Sequence, residues 1–318
     1  MLIQILLIIL GLALLVKGAD WLVSGASALA KRYNISDLAI GLTIVAFGTS
    51  APELVVNTFA SFQNHQDLVF GNVIGSNNFN LFIILGITGL ISPLVVQSST
   101  VWKEIPISLF AIIVLYLFAN AFFFTGTSVL TRVEGFILLI MFGMFLFYVY
   151  KQLKTDTAKP ETAQKKFSSL KILGLVILGL AGLVIGGRFV VINAVELATT
   201  LGMSEKIIGL TIIAAGTSLP ELATSVVAVL KKNSDIAVGN IIGSNIFNIF
   251  LILAASSLVR PINYDTAFNT EIYLLTGGTI FLFIAMFTGQ KKKLDRWEAG
   301  ILLVTYIAYM IYLINKEI

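Results

Sequence analysis

The stretch Gly41-Leu-Thr-Ile-Val-Ala-Phe-Gly-Thr-Ser-Ala-Pro-Glu-Leu54 occurs a second time in this chain, 168 residues later, as Gly209-Leu-Thr-Ile-Ile-Ala-Ala-Gly-Thr-Ser-Leu-Pro-Glu-Leu222. The two copies are identical at 11 of 14 positions. At the same offset, Gly71-Asn-Val-Ile-Gly-Ser-Asn-Asn-Phe-Asn80 matches Gly239-Asn-Ile-Ile-Gly-Ser-Asn-Ile-Phe-Asn248 at 8 of 10 positions. Identity at one fixed offset indicates an internal duplication, so the chain consists of two related halves.

The sequence around these stretches is apolar. Of the 318 residues, 57% are hydrophobic and 12% are charged, whereas soluble domains carry about 25% charged residues. Many apolar runs reach the roughly 20 residues that cross the core of a bilayer. They predict ten spans, at 2–30, 38–62, 68–91, 105–124, 133–150, 170–200, 207–230, 236–259, 272–289 and 297–314. The sequence therefore predicts an all-α membrane protein with ten transmembrane helices in a lipid bilayer.

The duplicated stretches fall in spans 2 and 3 and again in spans 7 and 8, so each half contains five spans. Because five is odd, the second half must enter the membrane from the opposite side, which predicts two inverted-topology five-helix repeats. We assign residues 1–150 to the first repeat and 170–318 to the second, within one transmembrane domain. Residues 151–169 are lysine-rich and lack apolar periodicity, which is typical of a polar linker.

Basic residues are distributed unevenly between the two sides of this topology. Loops after odd-numbered spans hold fifteen lysines and arginines, and the opposite loops and tails hold four. The positive-inside rule therefore places the central linker in the cytoplasm and both termini outside, in a multi-pass protein of the plasma (inner) membrane. The net charge of +4 comes from short loops rather than from one basic face, which argues against nucleic acid as a partner. The oligomeric state stays open, and a monomer is compatible with the pattern.

Each half carries one glutamate deep within a predicted span, with two hydroxyl residues one turn before it. The two sets are Thr49, Ser50 and Glu53 in span 2, and Thr217, Ser218 and Glu221 in span 7. The spacing i, i+1, i+4 brings hydroxyls and carboxylate together on one helical face. A glutamate inside a membrane costs several kcal/mol unless it is paired, protonated or bound to a cation. Since the spans offer few basic partners, we expect a cation to supply the counter-charge.

A proline precedes each of these glutamates. Pro52 and Pro220 lack a backbone donor and clash with the preceding turn, so they should free carbonyl groups near Ala46 and Ala214. Paired breaks at corresponding places in two repeats point to the binding site of a transporter.

Spans 3 and 8 each contain a polar stripe with a spacing of four residues. The stripes are Asn72, Ser76 and Asn80 in span 3, and Asn240, Ser244 and Asn248 in span 8. We expect the serines together with Asn80 and Asn248 to be ligands, and Asn72 and Asn240 to be secondary candidates. The alternative for these spans is close helix packing, which the Gly-x-x-x-Gly spacings would also serve.

Oxygen is the ligand chemistry that this sequence offers. The chain has no cysteine and a single histidine, His65, so thiolate chemistry, soft-metal clusters and histidine cages are excluded. No cofactor is expected. An intramembrane enzyme would need a nucleophile with a base, or an open metal site, and the sequence supports neither.

The two Gly-Thr-Ser-x-Pro-Glu motifs and the Gly-Asn-x-Ile-Gly-Ser-Asn segments resemble the repeats of sodium/calcium exchangers in the calcium/cation antiporter superfamily. The resemblance implies exchange of sodium for calcium by alternating access, with long first and sixth helices that slide across a fixed core. It also implies ion ligands, namely Ala46, Thr49, Ser50, Glu53, Ser76, Asn80, Ala214, Thr217, Ser218, Glu221, Ser244 and Asn248. Many exchangers carry an aspartate where this chain has Asn248, and potassium-dependent members are acidic there too. Asparagine in both halves predicts potassium-independent transport and leaves the stoichiometry open.

Two other transport functions fit the same residues. The first is proton-coupled antiport of calcium or another divalent cation. The chain departs from the pattern of that branch, which has an acidic residue where this chain has Gly75 and Gly243. A cation channel would line a pore with the same oxygen atoms, but inverted repeats with one carboxylate each favour a site that closes around an ion.

Overall fold

The computed structural model describes residues 1–120, 128–155, 167–201, 214–289 and 292–317. We number its membrane helices α1 to α10 after the predicted spans. They are α1 (Leu2–Tyr33), α2 (Asp37–Thr49 and Ala51–Phe62), α3 (Gln66–Ile91), α4 (Thr100–Ala119), α5 (Arg132–Thr155), α6 (Ser169–Thr200), α7 (Ala214–Gly216 and Leu219–Leu230), α8 (Ser234–Val259), α9 (Asn269–Ala285) and α10 (Arg296–Glu317).

The all-α membrane fold that the sequence predicts is confirmed. Within the described ranges, seven helices are long and apolar enough to cross a membrane, and the two segments of α2, which meet at 46°, make an eighth. Of the two remaining predicted spans, α10 is a 22-residue helix, and α7 is described only from residue 214 onward. Each predicted span within the described residues thus corresponds to a helix.

Three predicted boundaries, both ends of span 4 and the end of span 5, are wrong by five residues. Span 4 was expected at 105–124, but α4 begins at Thr100 and ends at Ala119. Pro106 cannot donate to a carbonyl one turn earlier, and the wider π turn at Thr100–Glu104 lets the helix extend past it. Span 5 was expected to end at residue 150, but α5 continues to Thr155. The rest of the predicted linker up to residue 166 lies outside the described residues.

The ends of α3 and α8 show how the two repeats relate to one another. The strand β1 (Leu94–Val95), after α3, pairs antiparallel with β4 (Lys293–Leu294), before α10. Likewise β3 (Ile262–Asn263), after α8, pairs with β2 (Val129–Leu130), before α5. Each pairing joins one repeat to the other, as a pseudo-twofold relationship between the repeats requires.

Two arginines cap these helices across the repeats. Arg132, at the start of α5, donates to the carbonyls of Leu258 and Val259 at the end of α8, both at 3.1 Å. Arg296, at the start of α10, donates to the last carbonyls of α3 at 3.1 and 3.4 Å. A guanidinium satisfies carbonyls that a helix end leaves without partners and opposes the negative end of the helix dipole. These two residues therefore stabilise the ends of the core helices.

The centre of the protein is built around α8, which is buried over 94% of an apolar stretch of 18 residues, against 22% for α1 and 28% for α6. Gly239 and Gly243 let α8 approach α2, because a Cβ atom at Gly239 would lie 2.8 Å from the Leu38 carbonyl oxygen. The packing expected from this glycine spacing is thus confirmed for α8. The equivalent contact of α3 would involve residues 206–213, which lie outside the described residues.

At the periphery, α1 and α6 form a close pair. A Cβ atom at Gly18 would lie 2.7 Å from the Leu183 nitrogen, and one at Gly179 would lie 2.6 Å from the Leu22 nitrogen. Near the end of α7, Lys231 forms a 2.7 Å salt bridge with Asp20 of α1. The two long helices are therefore fitted to one another, and α1 also contacts the core through a charged pair.

Candidate cation-binding site

The break in α2 positions the first glutamate. Ser50 leaves the helical conformation, with φ −85° and ψ 1°, and the helix restarts with Pro52 in its first turn. Glu53 consequently lies in the first turn of the second segment, where unpaired N–H groups and the helix dipole favour negative charge. Ser218, with φ −92° and ψ 7°, makes the same break before Glu221 in α7.

The carbonyls expected to be freed by the prolines differ between the repeats. The Ala46 carbonyl accepts from the Ser50 amide at 3.0 Å, so it is hydrogen-bonded rather than free. In α7 the equivalent amide, that of Ser218, donates to Ala215 at 3.2 Å and bypasses Ala214. Pro52 removes the amide that would pair with the carbonyl four residues earlier, which is that of Gly48, so the bond from Ser50 to Ala46 is unaffected.

Both glutamates are buried, with 2% of Glu53 and 1% of Glu221 exposed. Within the described residues, the Oε2 atom of each has no hydrogen-bond partner, and no basic side chain pairs with either carboxylate. Lys17 and Arg188, the basic residues deep within the predicted spans, are exposed instead. Two buried carboxylates without basic partners leave the counter-charge to a proton or a cation.

Ser50 connects the two repeats. Its Oγ atom lies 3.0 Å from Glu221 Oε1 and 3.0 Å from Ser244 Oγ. Because a hydroxyl has one proton, Ser50 donates to the carboxylate and accepts from Ser244. The equivalent Ser218 Oγ is buried and has no partner in the described part of the chain. The site is therefore asymmetric although its residues are duplicated.

The threonines and the two secondary candidates bind one another. Thr49 Oγ1 donates to Asn240 Oδ1 at 3.0 Å, and Thr217 Oγ1 donates to Asn72 Oδ1 at 3.2 Å. Ser76 Oγ lies 3.5 Å from the same Asn72 oxygen. The side-chain oxygens of Asn72 and Asn240 are thus occupied by hydroxyl protons. The arrangement favours these asparagines as orienting groups for the threonines rather than as direct ligands.

Asn80 and Asn248 lie at π-helical segments, Phe79–Ile84 in α3 and Asn248–Ile252 in α8. Such segments often occur at functional sites because they interrupt the regular hydrogen-bond ladder. Each side chain donates through Nδ2 to an asparagine of the other repeat, Asn245 for Asn80 at 3.0 Å and Asn77 for Asn248 at 2.9 Å. Their Oδ1 atoms are buried and lack a partner among the residues described.

The donor set fits a hard cation. Five buried side-chain oxygens at the predicted ligand positions lack a hydrogen-bond partner in the described ranges: Glu53 Oε2, Glu221 Oε2, Ser218 Oγ, Asn80 Oδ1 and Asn248 Oδ1. All are carboxylate, hydroxyl or amide oxygens, which suit sodium and calcium rather than softer metals. No group of three or more acidic, histidine or cysteine side chains that could hold a metal occurs in the described residues. Binding here would depend on two carboxylates supplemented by neutral oxygens.

Asn77 and Asn245, which were not predicted from the sequence, contact the predicted ligands Asn248 and Asn80. They also occupy equivalent positions, 168 residues apart, in the duplicated Gly-Ser-Asn segments. The duplication was the signal that could have identified them. They lie one residue outside the four-residue stripe on which the prediction relied.

Known proteins resemble this chain along nearly its whole length. The family described as "Sodium/calcium exchanger protein" matches residues 3–151 and 171–315. "Inner membrane protein YrbG" of Escherichia coli is 38% identical over 83% of this chain and 82% of its own length. "Sodium/calcium exchanger MaX1" of Methanosarcina acetivorans is 35% identical over 98% of each chain.

The fold is also that of a solved structure. The sodium-calcium exchanger NCX_Mj, soaked with zero Na⁺ and Ca²⁺, superposes with a TM-score of 0.82 at 32% identity. The superposition covers 98% of this chain and 99% of that one. The two segments matched by the family correspond to the two predicted repeats.

Proposed function

This chain belongs to the sodium/calcium exchanger family of cation antiporters, and we propose that it exchanges sodium for calcium across the membrane by alternating access. The observation that carries the proposal is the group of five buried, unpartnered oxygens contributed by both repeats. Glu53 and Glu221 supply the negative charge. Ser50, Ser218, Asn80 and Asn248 supply neutral oxygens, and Ser76, Ser244, Thr49 and Thr217 complete the ligand set.

Both ions suit this site, and they compete for it. Calcium takes about six to eight oxygen ligands at about 2.3–2.6 Å, and sodium accepts the same hard oxygens with half the charge. Two carboxylates neutralise either one calcium ion or two sodium ions. Since each cargo satisfies the same buried charge, either one can close the site, whereas the empty site leaves two carboxylates without counter-charge. Coupled exchange follows from that difference.

The formal charge of the site suggests how many sodium ions are exchanged for each calcium ion. Asn248 contributes no charge, so the formal charge of the proposed ligand set stays at minus two. We therefore propose potassium-independent exchange with two sodium ions per calcium ion. A potassium ion would be a third cargo without a carboxylate to balance it.

Proton coupling is the second candidate, because buried carboxylates without basic partners can be neutralised by protons as well as by cations. In that case Glu53 and Glu221 would carry protons in one direction and a divalent cation in the other. A sodium requirement at constant pH distinguishes the two cycles.

The same proposal includes an orientation in the plasma (inner) membrane. Both termini face outward, and the segment between α5 and α6 lies in the cytoplasm, as the distribution of basic residues favours. Single cysteines introduced into this cysteine-free chain and labelled from one side would test it. Labelling of a cysteine at position 160 from outside intact cells would overturn this orientation.

Competition binding tests the site itself. At constant pH, calcium binding to purified protein should be displaced by sodium but not by equal concentrations of potassium. Glu53→Gln and Glu221→Gln should each abolish calcium binding, and Glu196→Gln, on the exposed face of α6, is the matched control. Sodium-insensitive calcium binding would contradict the proposal.

A further inference from the structure

Two buried asparagines join the repeats beside the proposed ligands. Asn77 of α3 is 0% exposed and Asn245 of α8 is 4% exposed. Asn77 Nδ2 donates to the Asn245 carbonyl oxygen at 3.3 Å, and Asn245 Nδ2 donates to the Asn77 carbonyl oxygen at 3.3 Å. These reciprocal bonds hold the Nδ2 end of each side chain against the opposite helix and fix both amide planes.

The remaining oxygens of these amides are directed at the ligand asparagines. Asn245 Oδ1 accepts from Asn80 Nδ2 at 3.0 Å, and Asn77 Oδ1 accepts from Asn248 Nδ2 at 2.9 Å. The contacts are crossed, because each ligand asparagine is held by the repeat to which it does not belong. All four side chains therefore form one buried network around the pseudo-twofold axis.

Such a network determines which end of each ligand amide is available. A carboxamide has an oxygen acceptor at one end and an NH₂ donor at the other, and a flip of the group exchanges them. With Nδ2 held by an oxygen, the Oδ1 atoms of Asn80 and Asn248 are the ends left over, and in the described part of the chain both are buried without a partner. A flipped amide would present its donor hydrogens to a cation and repel it.

We propose that Asn77 and Asn245 are positioning residues for cation binding, each of which holds the ligand asparagine of the opposite repeat with its oxygen toward the ion. The proposal rests on the cation-binding function given above. It assigns a role to two residues that do not themselves touch the cargo. Crossed support also ties the geometry of both ligands to the fit between α3 and α8.

Double-mutant cycles separate this role from a purely structural one, because residues that act through one another are not additive. Asn77→Ala should weaken calcium binding about tenfold, within the range of coupling energies for groups in one network. In an Asn248→Ala background the same change should have less than about a twofold effect, since the side chain it orients is gone. In an Asn80→Ala background it should keep its full effect, because Asn80 is held by Asn245.

Calcium titration of the purified full-length protein measures the cycle, with the thermal midpoint in the absence of cations recorded for each variant. A merely structural role would lower the midpoint and give the same loss of affinity in both backgrounds, which would overturn the proposal. If Asn77→Ala does not fold, Asn245→Ala combined with Asn80→Ala or Asn248→Ala gives the mirror-image cycle.

The same titrations distinguish failure of this inference from failure of the proposed function. A wild-type protein that binds neither calcium nor sodium, or calcium binding that persists in Glu53→Gln and Glu221→Gln, overturns the site and the positioning role together. Binding that depends on the glutamates but shows additive asparagine effects overturns the positioning role alone.

Discussion

Ser50 of the first repeat donates a 3.0 Å hydrogen bond to Glu221 of the second. The mirror-image contact, from Ser218 to Glu53, is not formed in the described part of the chain, where Ser218 Oγ and Glu53 Oε2 both lack partners. Duplicated residues thus adopt two different states around one site. An alternating-access transporter with inverted repeats is expected to show such asymmetry, because each repeat takes the other's conformation as the site changes sides.

Removing the two serine hydroxyls should therefore have unequal effects on the cation-free protein. Ser50→Ala deprives a buried carboxylate of its donor, which costs about 1–3 kcal/mol and lowers the melting temperature by a few degrees. Ser218→Ala removes no hydrogen bond and should leave the melting temperature within about 1 °C of the wild type. Thermal unfolding in detergent without cations measures both. Equal losses would contradict the asymmetry.

Calcium binding provides a second comparison of the same pair. Both serines are proposed ligands, so both alanine variants should bind calcium more weakly than the wild type. Ser218→Ala is the informative one, because it should lose affinity without losing stability. If Ser218→Ala binds calcium normally, that hydroxyl is not a ligand.

The close pairing of α1 and α6 predicts a sharp sensitivity to one methyl group. Gly18→Ala would place a Cβ atom 2.7 Å from the Leu183 nitrogen and 2.8 Å from the Gly179 oxygen. Both are backbone atoms, which cannot move aside without shifting a helix. We expect a loss of about 1–3 kcal/mol, typical of overpacking, together with impaired exchange. Gly174→Ala is the matched control, since a Cβ atom there meets nothing within 4 Å in the described ranges.

The control should behave oppositely, because alanine is favoured over glycine within a helix by roughly 0.5–1 kcal/mol. Gly174→Ala should match or exceed the wild-type melting temperature and keep its flux. Similar effects of the two substitutions would show that the fit between α1 and α6 does not constrain the protein.

Two glutamate–tyrosine pairs outside the ion site predict losses of stability of different size. Tyr148 of α5 donates to Glu104 of α4, which is completely buried, and Tyr309 of α10 donates to Glu271 of α9 at 2.5 Å. Tyr148→Phe leaves a fully buried carboxyl oxygen without its donor and should cost about 1–3 kcal/mol. Tyr309→Phe should cost less, because Glu271 is half-buried. A larger loss for Tyr309→Phe in thermal unfolding would refute this order.

The formal charge of the site predicts the response to voltage. A two-for-one cycle moves no net charge, so potentials of either sign should leave the rate of exchange nearly unchanged in sealed vesicles. A cycle that moves one net charge would gain or lose about 2.3 kcal/mol per 100 mV and would respond steeply. A clear voltage dependence of sodium/calcium exchange would rule out the two-for-one stoichiometry.

The duplication made much of this molecule predictable from the sequence. A single offset of 168 residues predicted two repeats and brought Glu53 and Glu221 together as one site. The carboxylates were predictable because a charge inside an apolar span has few physical explanations. The breaks beside them were predictable because proline cannot continue the hydrogen-bond ladder.

The different roles of the asparagines, as ligands or as residues that orient ligands, were not predictable in the same way. The stripe through Asn72 and Asn80 assumed regular helical spacing, but a π turn begins at Phe79 and changes the rotation of everything after it. Asn77 precedes that turn and lies off the stripe, and its contact with Asn248 depends on how α3 packs against α8. The capping role of Arg132 and Arg296 likewise depends on which helix end lies next to each residue, and the spacing along one chain does not contain that information.

Calcium uptake into proteoliposomes, with sodium loaded inside and pH equal on both sides, tests the central proposal most directly. We predict calcium accumulation that requires the outward sodium gradient, does not require potassium, and disappears in Glu53→Gln and in Glu221→Gln but not in Glu196→Gln. Equal accumulation without sodium, or full sodium-driven uptake in either of the first two variants, would contradict the account.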